Sequence, residues 1–500
     1  MPSIVIVGGG LAGMAAGTAL TDAGWQVTLL ERKPYLGGRA SSYEHPATGE
    51  VVDNCQHVLL GCCTNLLDFY RRIRADRLIR WYDRLTFLSP RGERSIIGAS
   101  WLPAPLHSLA SFLAASTLTW GDKLAIVRAL ESLLRRLPDD NGRPFSHWLK
   151  AHRQTPGALE RFWKVILVSA LNEDIDRISL PAAALVFRES FLKSPQGGRM
   201  GLPRVPLTEL YTHAQEYICG RGGAIELRKS VEEVEPIAEH LPGTGAPDKF
   251  ASRAGVRICV DGKPRMFDYA ILAVPCDALA RLLPRTPESK GLQAQLAKFE
   301  TSPITGVHLW FDRQITDLEH AVLLDRTIQW MFHKSKILDP GEKRETGNGE
   351  RETEVKERET GNGRRETGNG SYVELVISAA KALVEKSRQE IIDLAVHELG
   401  EFFPVAREAK LLKATVVKEI HATFSPLPGS DAYRPAAQTP WPRIFLAGDW
   451  IATGWPATME SAVRGGYLAA EALCRAAGRK DRFLVPDLPP TGLMRLFPST

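Results

Sequence analysis

The residues best suited to do chemistry open the chain. Ile4-Val5-Ile6-Val7 runs into Gly8-Gly9-Gly10-Leu11-Ala12-Gly13. A glycine run between a short apolar strand and a helix is an arrangement that receives a pyrophosphate. Gly8 permits the tight turn, Gly10 lets the main chain approach the phosphates, and Gly13 lets helix and strand pack closely. Leu11 and Ala12 begin the helix, whose positive end faces the anion. Glu31 ends the next strand, where its carboxylate can accept hydrogen bonds from a ribose diol. It would repel a 2′-phosphate, so the site predicts a dinucleotide other than NADP.

These residues need a scaffold. Apolar runs and glycine turns predict a strand at 3–7, a helix at 11–23 and a strand at 26–31, a βαβ unit. Further strands are expected around 224–234, 257–260, 269–274, 307–311, 372–378 and 443–447. Helices are expected at 206–219, 391–402 and 458–477. With 500 residues, 44% apolar and 24% charged, the chain is long enough for two or three packed domains of ordinary globular character. A net charge of +5, without a basic tail or an arginine-and-aromatic stripe, gives no sign of a nucleic-acid partner. The seven cysteines include no CxxC pair, so neither a zinc site nor a disulfide framework is expected, and a reducing cytoplasm fits. The apolar run at 4–7 is too short for a signal peptide.

Two stretches stand apart. Residues 339–371 carry three copies of Arg-Glu-Thr-Gly-Asn-Gly, beginning at Arg344, Arg358 and Arg365, and the only aliphatic side chain is Val355. Such a segment cannot offset its ordering entropy by burial, which predicts a disordered insertion. Residues 95–121 contain no Asp, Glu, Lys or Arg. The favoured expectation is a buried helical pair. The sharper one is a surface that dips into a bilayer, with Trp101 and Trp120 as interfacial anchors.

Glu31-Arg32 leads to a second glycine pair, Gly37-Gly38-Arg39-Ala40. Arg39 offers a fixed cation and a bidentate donor for phosphate or flavin oxygens. Near the other end, Ile444-Phe445-Leu446-Ala447-Gly448-Asp449 is followed by Thr458-Met459-Glu460. This pattern resembles the flavin amine oxidase and phytoene desaturase superfamily. The resemblance implies FAD and an α/β fold: a two-dinucleotide-binding FAD domain (Rossmann-like βαβ, GR2-type) with an interleaved α+β substrate-binding domain. It implies that Gly38 and Arg39 lie along the cofactor, that Asp449 binds a ribityl hydroxyl, and that Thr458 and Met459 start a helix aimed at the flavin pyrimidine. Val231 matches the position whose backbone meets adenine. The expected division is flavin-binding parts at 1–65, 206–285 and 441–480, a mostly helical substrate- or membrane-facing part at 66–205, a substrate domain at 286–440 holding the insertion, and a tail at 481–500.

Asp53-Asn54-Cys55-Gln56-His57-Val58-Leu59-Leu60-Gly61-Cys62 is similar to a segment of the squalene-associated FAD-dependent desaturases, or hydroxysqualene dehydroxylases. So are 101–107, 170–172 and 454–464. The resemblance implies reduction of hydroxysqualene to squalene in hopanoid synthesis, with Gln56 at the cofactor. Hydroxyl protonation would release water and leave an allylic cation, to which reduced flavin would deliver hydride. His57 is the first candidate acid and Asp53 the second. NADPH or a separate reductase would supply electrons. A polyprenoid substrate also implies peripheral contact with the inner membrane face and with upstream squalene-pathway enzymes. Oligomeric state is not readable. One departure is Cys55, where the family usually has glycine; a positive φ there would strain a cysteine. The alternatives are a desaturase of phytoene or squalene and a non-catalytic prenyl-binding escort of the GDP-dissociation-inhibitor kind.

Overall fold

A computed structural model describes residues 2–134, 137–237, 254–338 and 370–497. Residues 339–369 of the repeat insertion lie outside these.

Five parallel strands form the sheet that carries the glycine turn, in the order Ala224–Leu227, Gln26–Glu31, Ser3–Val7, Tyr269–Leu272, Ile444–Leu446. Strands distant in sequence therefore become neighbours. The central parallel strands are mostly apolar because both faces are covered: the buried helix Leu11–Asp22 and the helix Met459–Ala476, which touch one another, cover one of them. A three-stranded antiparallel sheet, Val231–Ile237, Gly255–Val260 and Lys263–Phe267, adjoins this layer.

The second half is built on a seven-stranded sheet in the order Leu411–Phe424, Thr301–Phe311, Ser371–Ile377, Trp330–His333, His320–Leu323, Arg84–Leu88, Arg94–Gly98. Its last two strands come from 66–205, which is less helical than its apolar periodicity suggests. That stretch also supplies Ile79–Tyr82 and Met200–Pro203 to a small sheet with Leu59–Leu60. The helices Trp120–Ser132, Phe145–Ala151, Lys164–Leu171 and Leu180–Phe187 surround their own core around Trp163 and Phe187. Thr119 starts the first of these with a reciprocal capping box to Asp122.

The charge-free stretch 95–121 is not a buried helical pair. It is a strand end, a loop, the short helix Leu109–Ala114 and the start of the next helix. Trp101 is 90% exposed and Trp120 70%. Cys55 is absent from the positive-φ positions, so the departure from glycine carries no backbone strain there.

Candidate active site

One cavity, about 1050 Å³, joins the two halves. At one end it is lined by main chain. Gly8 holds φ at +110°, and a Cβ there would meet the Ala273 carbonyl oxygen at 2.4 Å. A Cβ on Gly13 would lie 2.0 Å from the Gly8 oxygen, whereas Gly10 has only Gly38 within 4 Å and faces open space. The helix start at Gly10 has no side-chain cap, so its first amides are left for a ligand. The second glycine pair is tied to the first by the Gly37 amide donating to the Gly9 carbonyl at 2.9 Å.

Glu31 is buried, and its two oxygens accept from the amides of Gly9 (2.7 Å) and Lys33 (2.8 Å). This fixes the carboxylate at the cavity wall beside Arg32. Arg39 forms an ion pair with Asp449 and donates to the Ala422 carbonyl at 3.2 Å. Thr458 caps the last long helix by accepting from the Ser461 amide at 3.1 Å. Leu11, Ala12, Gly38, Val231, Gly448, Thr458 and Met459 all line the same cavity, although they are contributed by three distant parts of the chain. An elongated dinucleotide fits these features: a cradle whose Gly8 and Gly13 tolerate no Cβ and whose Gly10 leaves open space, uncapped helix amides, an anchored carboxylate and an arginine–aspartate pair.

The segment 54–57 adjoins this cradle on the cavity wall. Asn54 zips it to the second glycine motif: its Nδ2 donates to the Arg39 carbonyl at 2.7 Å and its Oδ1 accepts from the Ser41 amide at 3.1 Å. Gln56 and His57 line the cavity. His57 Nδ1 is 2.7 Å from the Cys55 carbonyl. Burial lowers its pKa, against that hydrogen bond and nearby carboxylates, so the ring is neutral at neutral pH. The first candidate acid is thus held in its neutral form.

Asp53 is not on the cavity wall. Its carboxylate is buried, accepts from Lys334 Nζ at 2.6 Å, Ser42 Oγ at 2.7 Å and the Leu207 amide at 3.1 Å, and so caps the helix Leu207–Cys219. Burial would raise its pKa, but the ammonium and the amide outweigh that and hold it below the usual carboxylate range. An ionised, fully bonded carboxylate is a support and a poor proton donor.

Four groups escaped the sequence reading. Lys334 is fully buried beneath this loop, between Asp53 and Glu374. Glu419 lines the cavity and accepts from Asn54 Nδ2 at 3.2 Å. Glu189, also on the wall, pairs with Lys193 at 2.8 Å, and burial raises its pKa against that pairing. A carboxylate inside an otherwise apolar strand, Ser371–Ile377, was the one readable sign of Glu374.

Beyond the loop the cavity becomes apolar, lined by Phe87, Ile97, Leu109, Phe112, Phe162 and Ile166 among others. Leu106 and Val127 both line it and are exposed, which puts the rim of the cavity beside Trp101 and Trp120 in the chain's charge-free stretch.

Residues 11–474 match the family described as flavin containing amine oxidoreductase. The chain belongs to that family. It is an FAD-dependent oxidoreductase. Within the family it is 26% identical over 487 residues to a 15-cis-phytoene desaturase of Synechococcus elongatus, covering 94% of this chain and 95% of that one. It is 25% identical over 502 residues to a zeta-carotene desaturase of Synechocystis, covering 94% and 96%. Among solved structures, an oxidoreductase from Methanosarcina mazei superposes with TM-score 0.66 at 16% identity, covering 93% and 98%. Cyclohexylamine oxidase from Brevibacterium oxydans does so with TM-score 0.62 at 15% identity, covering 96% and 100%. These structural likenesses show the fold.

Proposed function

We propose that this family member acts on a long polyprenoid, drawn into the apolar end of the cavity until a reactive carbon lies against the flavin. The observation that carries this reading is the continuity of the cavity: a main-chain dinucleotide cradle opens directly into an aromatic and aliphatic tunnel. The desaturase relatives support a polyprenoid and put desaturation first: the hydrocarbon would lose a hydride and also a proton as the double bond forms.

A second reading, reductive removal of the hydroxyl of hydroxysqualene, is favoured by the segment 53–62, whose Gln56 and His57 lie on the cavity wall. There a C–O bond breaks, the oxygen leaves as water with one added proton, and hydride completes the new C–H bond. When bound, FAD would take up the hydride in the first reading, with an external electron acceptor to reoxidise it, and would supply the hydride in the second, with NADPH or a separate reductase to recharge it. The chain's residues supply the rest. The apolar walls exclude water. His57, neutral, can pass a proton to the leaving oxygen only if it first receives one, and Glu189 is the wall carboxylate whose proton affinity burial raises.

The exposed Trp101, Leu106, Leu113, Trp120, Leu124 and Val127 support a membrane-facing entrance for such a substrate. No helix among the described residues is long and apolar enough to cross a membrane. Upstream squalene-pathway enzymes would be the partners in the second reading.

Product analysis tests the proposal. FAD-loaded protein is incubated with phytoene under oxidising conditions and with hydroxysqualene plus a reductant. New conjugated double bonds in the first support desaturation; squalene in the second supports dehydroxylation. Intact substrates in both, with flavin that still reduces and reoxidises, would remove the polyprenoid reading.

A further inference from the structure

Beneath the segment 54–57 lies a buried charge cluster that the proposed chemistry does not use. Lys334 Nζ donates to Asp53 Oδ2 at 2.6 Å and to Gln56 Oε1 at 2.8 Å, and lies 3.4 Å from Glu374 Oε2. Among the described residues neither oxygen of Glu374 has a hydrogen bond of full geometry, although Lys334 Nζ and the Gln56 main-chain amide both face the carboxylate, and Nε2 of His308, directly opposite on the neighbouring strand, has none either. An ammonium has three donors. Two are committed, and the third faces a carboxylate it does not reach with hydrogen-bond geometry.

We propose that Lys334 is a positioning residue: anchored by Asp53, it holds Gln56 and through it the 54–57 wall of the cavity, with Glu374 as the competitor for its ammonium. Gln56 is the contact through which this acts, because its side chain bridges Lys334 and the His57 carbonyl (3.2 Å) while it lines the cavity. Asn54 extends the effect to the Arg39 carbonyl, and Arg39 pairs with Asp449.

The competition depends on pH. Burial, against the pull of Lys334, pushes Glu374 up to about 7. The other groups facing the cluster do not change charge there. Burial pushes His308 down to about 3 and raises Cys55 and Tyr372 well above their ordinary values. It also lowers His57 and His45. Asp53 is held ionised and Lys334 held protonated by one another. Glu419 on the outer side of Asn54 and Glu50 near Tyr372 are the remaining charges. Below the transition Glu374 is neutral and the ammonium stays on Asp53 and Gln56. Above it a second anion draws the ammonium from Gln56 and loosens the wall.

The inference rests on the reading of this cavity as a flavin site, not on the substrate, so its test reads the flavin. The visible spectrum of the FAD-loaded protein is recorded as pH is raised through neutrality, for wild type, Glu374→Gln and Lys334→Met. The expected result is a spectral transition near 7 in the wild type, its loss in Glu374→Gln, and an altered, pH-independent spectrum in Lys334→Met. Where Lys334→Met does not fold, Lys334→Arg, which keeps the charge but not the donor geometry, is expected to displace the transition. A transition that persists unchanged in Glu374→Gln, or a lysine variant indistinguishable from wild type, overturns the proposal. Product formation by the wild type is scored separately: its absence would count against the polyprenoid reading and leave this test standing.

Discussion

The two ends of the cavity are made of different materials. The cradle end is made of main chain: Gly8, Gly10, Gly13 and Gly38 set its shape, and a single added methyl at Gly13 would overlap a carbonyl oxygen at 2.0 Å. The far end is made of side-chain volume, where Phe112, Phe162, Ile166 and their neighbours leave a tunnel that many other apolar sets could also leave. A backbone-built site admits few substitutions and specifies its ligand closely. A volume-built site specifies size and dryness, and its chemistry must come from the few polar groups at the join between the ends. In this molecule those are Gln56, His57, Glu419 and Glu189.

The comparison can be broken most severely at the cradle. Gly13→Ala forces the Gly8 carbonyl out of place, and the purified protein is expected to carry no FAD, read from its absorbance after reconstitution. At the far end Ala170→Phe should leave FAD in place. It is expected to weaken binding of a C30 chain by roughly 10- to 100-fold, the equivalent of about 1–3 kcal/mol of overpacking. Binding constants from flavin fluorescence would check this.

At the join the expected effect is on stability. Glu374 binds its proton more tightly in the folded state than an ordinary glutamate, so its contribution is full below about 4.5 and is lost as pH rises through about 7. Glu374→Gln should therefore gain on wild type by up to about 3 kcal/mol as pH rises between those limits, read as the difference between the two melting temperatures, because the buried neutral histidines, such as His308, push both proteins the opposite way alike. Asp53 and Lys334 are shifted outward and act outside that window. At the rim, Trp101→Ala with Trp120→Ala should leave the folding stability within about 0.5 kcal/mol of wild type, because both side chains are exposed. Binding to anionic vesicles should drop about tenfold or more.

The same contrast explains what the sequence disclosed. The strand Ser3–Val7, the helix Leu11–Asp22, the strand Ile444–Leu446 and the helix Met459–Ala476 were all legible, because glycine spacing and continuous apolar runs mark parallel, doubly covered elements. The strand Leu411–Phe424 was not. It is an edge strand with exposed Lys413, Ile420 and His421, and its alternation is broken. Arg84–Leu88 and Arg94–Gly98 sat unnoticed in a region read as helical, since their pairing is with strands more than 200 residues away or with each other. Lys334 could not be found by pattern: a lysine is buried only when its partners are, and Asp53 and Glu374 arrive from opposite parts of the chain. The exposed tryptophans were legible only as an option, because a charge-free stretch reads alike whether it is covered by protein or by lipid.

If one continuous cavity brings a long apolar chain to the flavin, such a chain must be felt by the flavin even when it cannot react. The most direct measurement is titration of the FAD-loaded protein with squalane, a saturated C30 hydrocarbon that offers no easy redox chemistry, while the flavin absorption is followed. A saturable perturbation, absent in Ala170→Phe, is the predicted result. No perturbation by squalane, together with bleaching of the flavin by a short amine such as putrescine, would contradict the account and move the protein to amine oxidation.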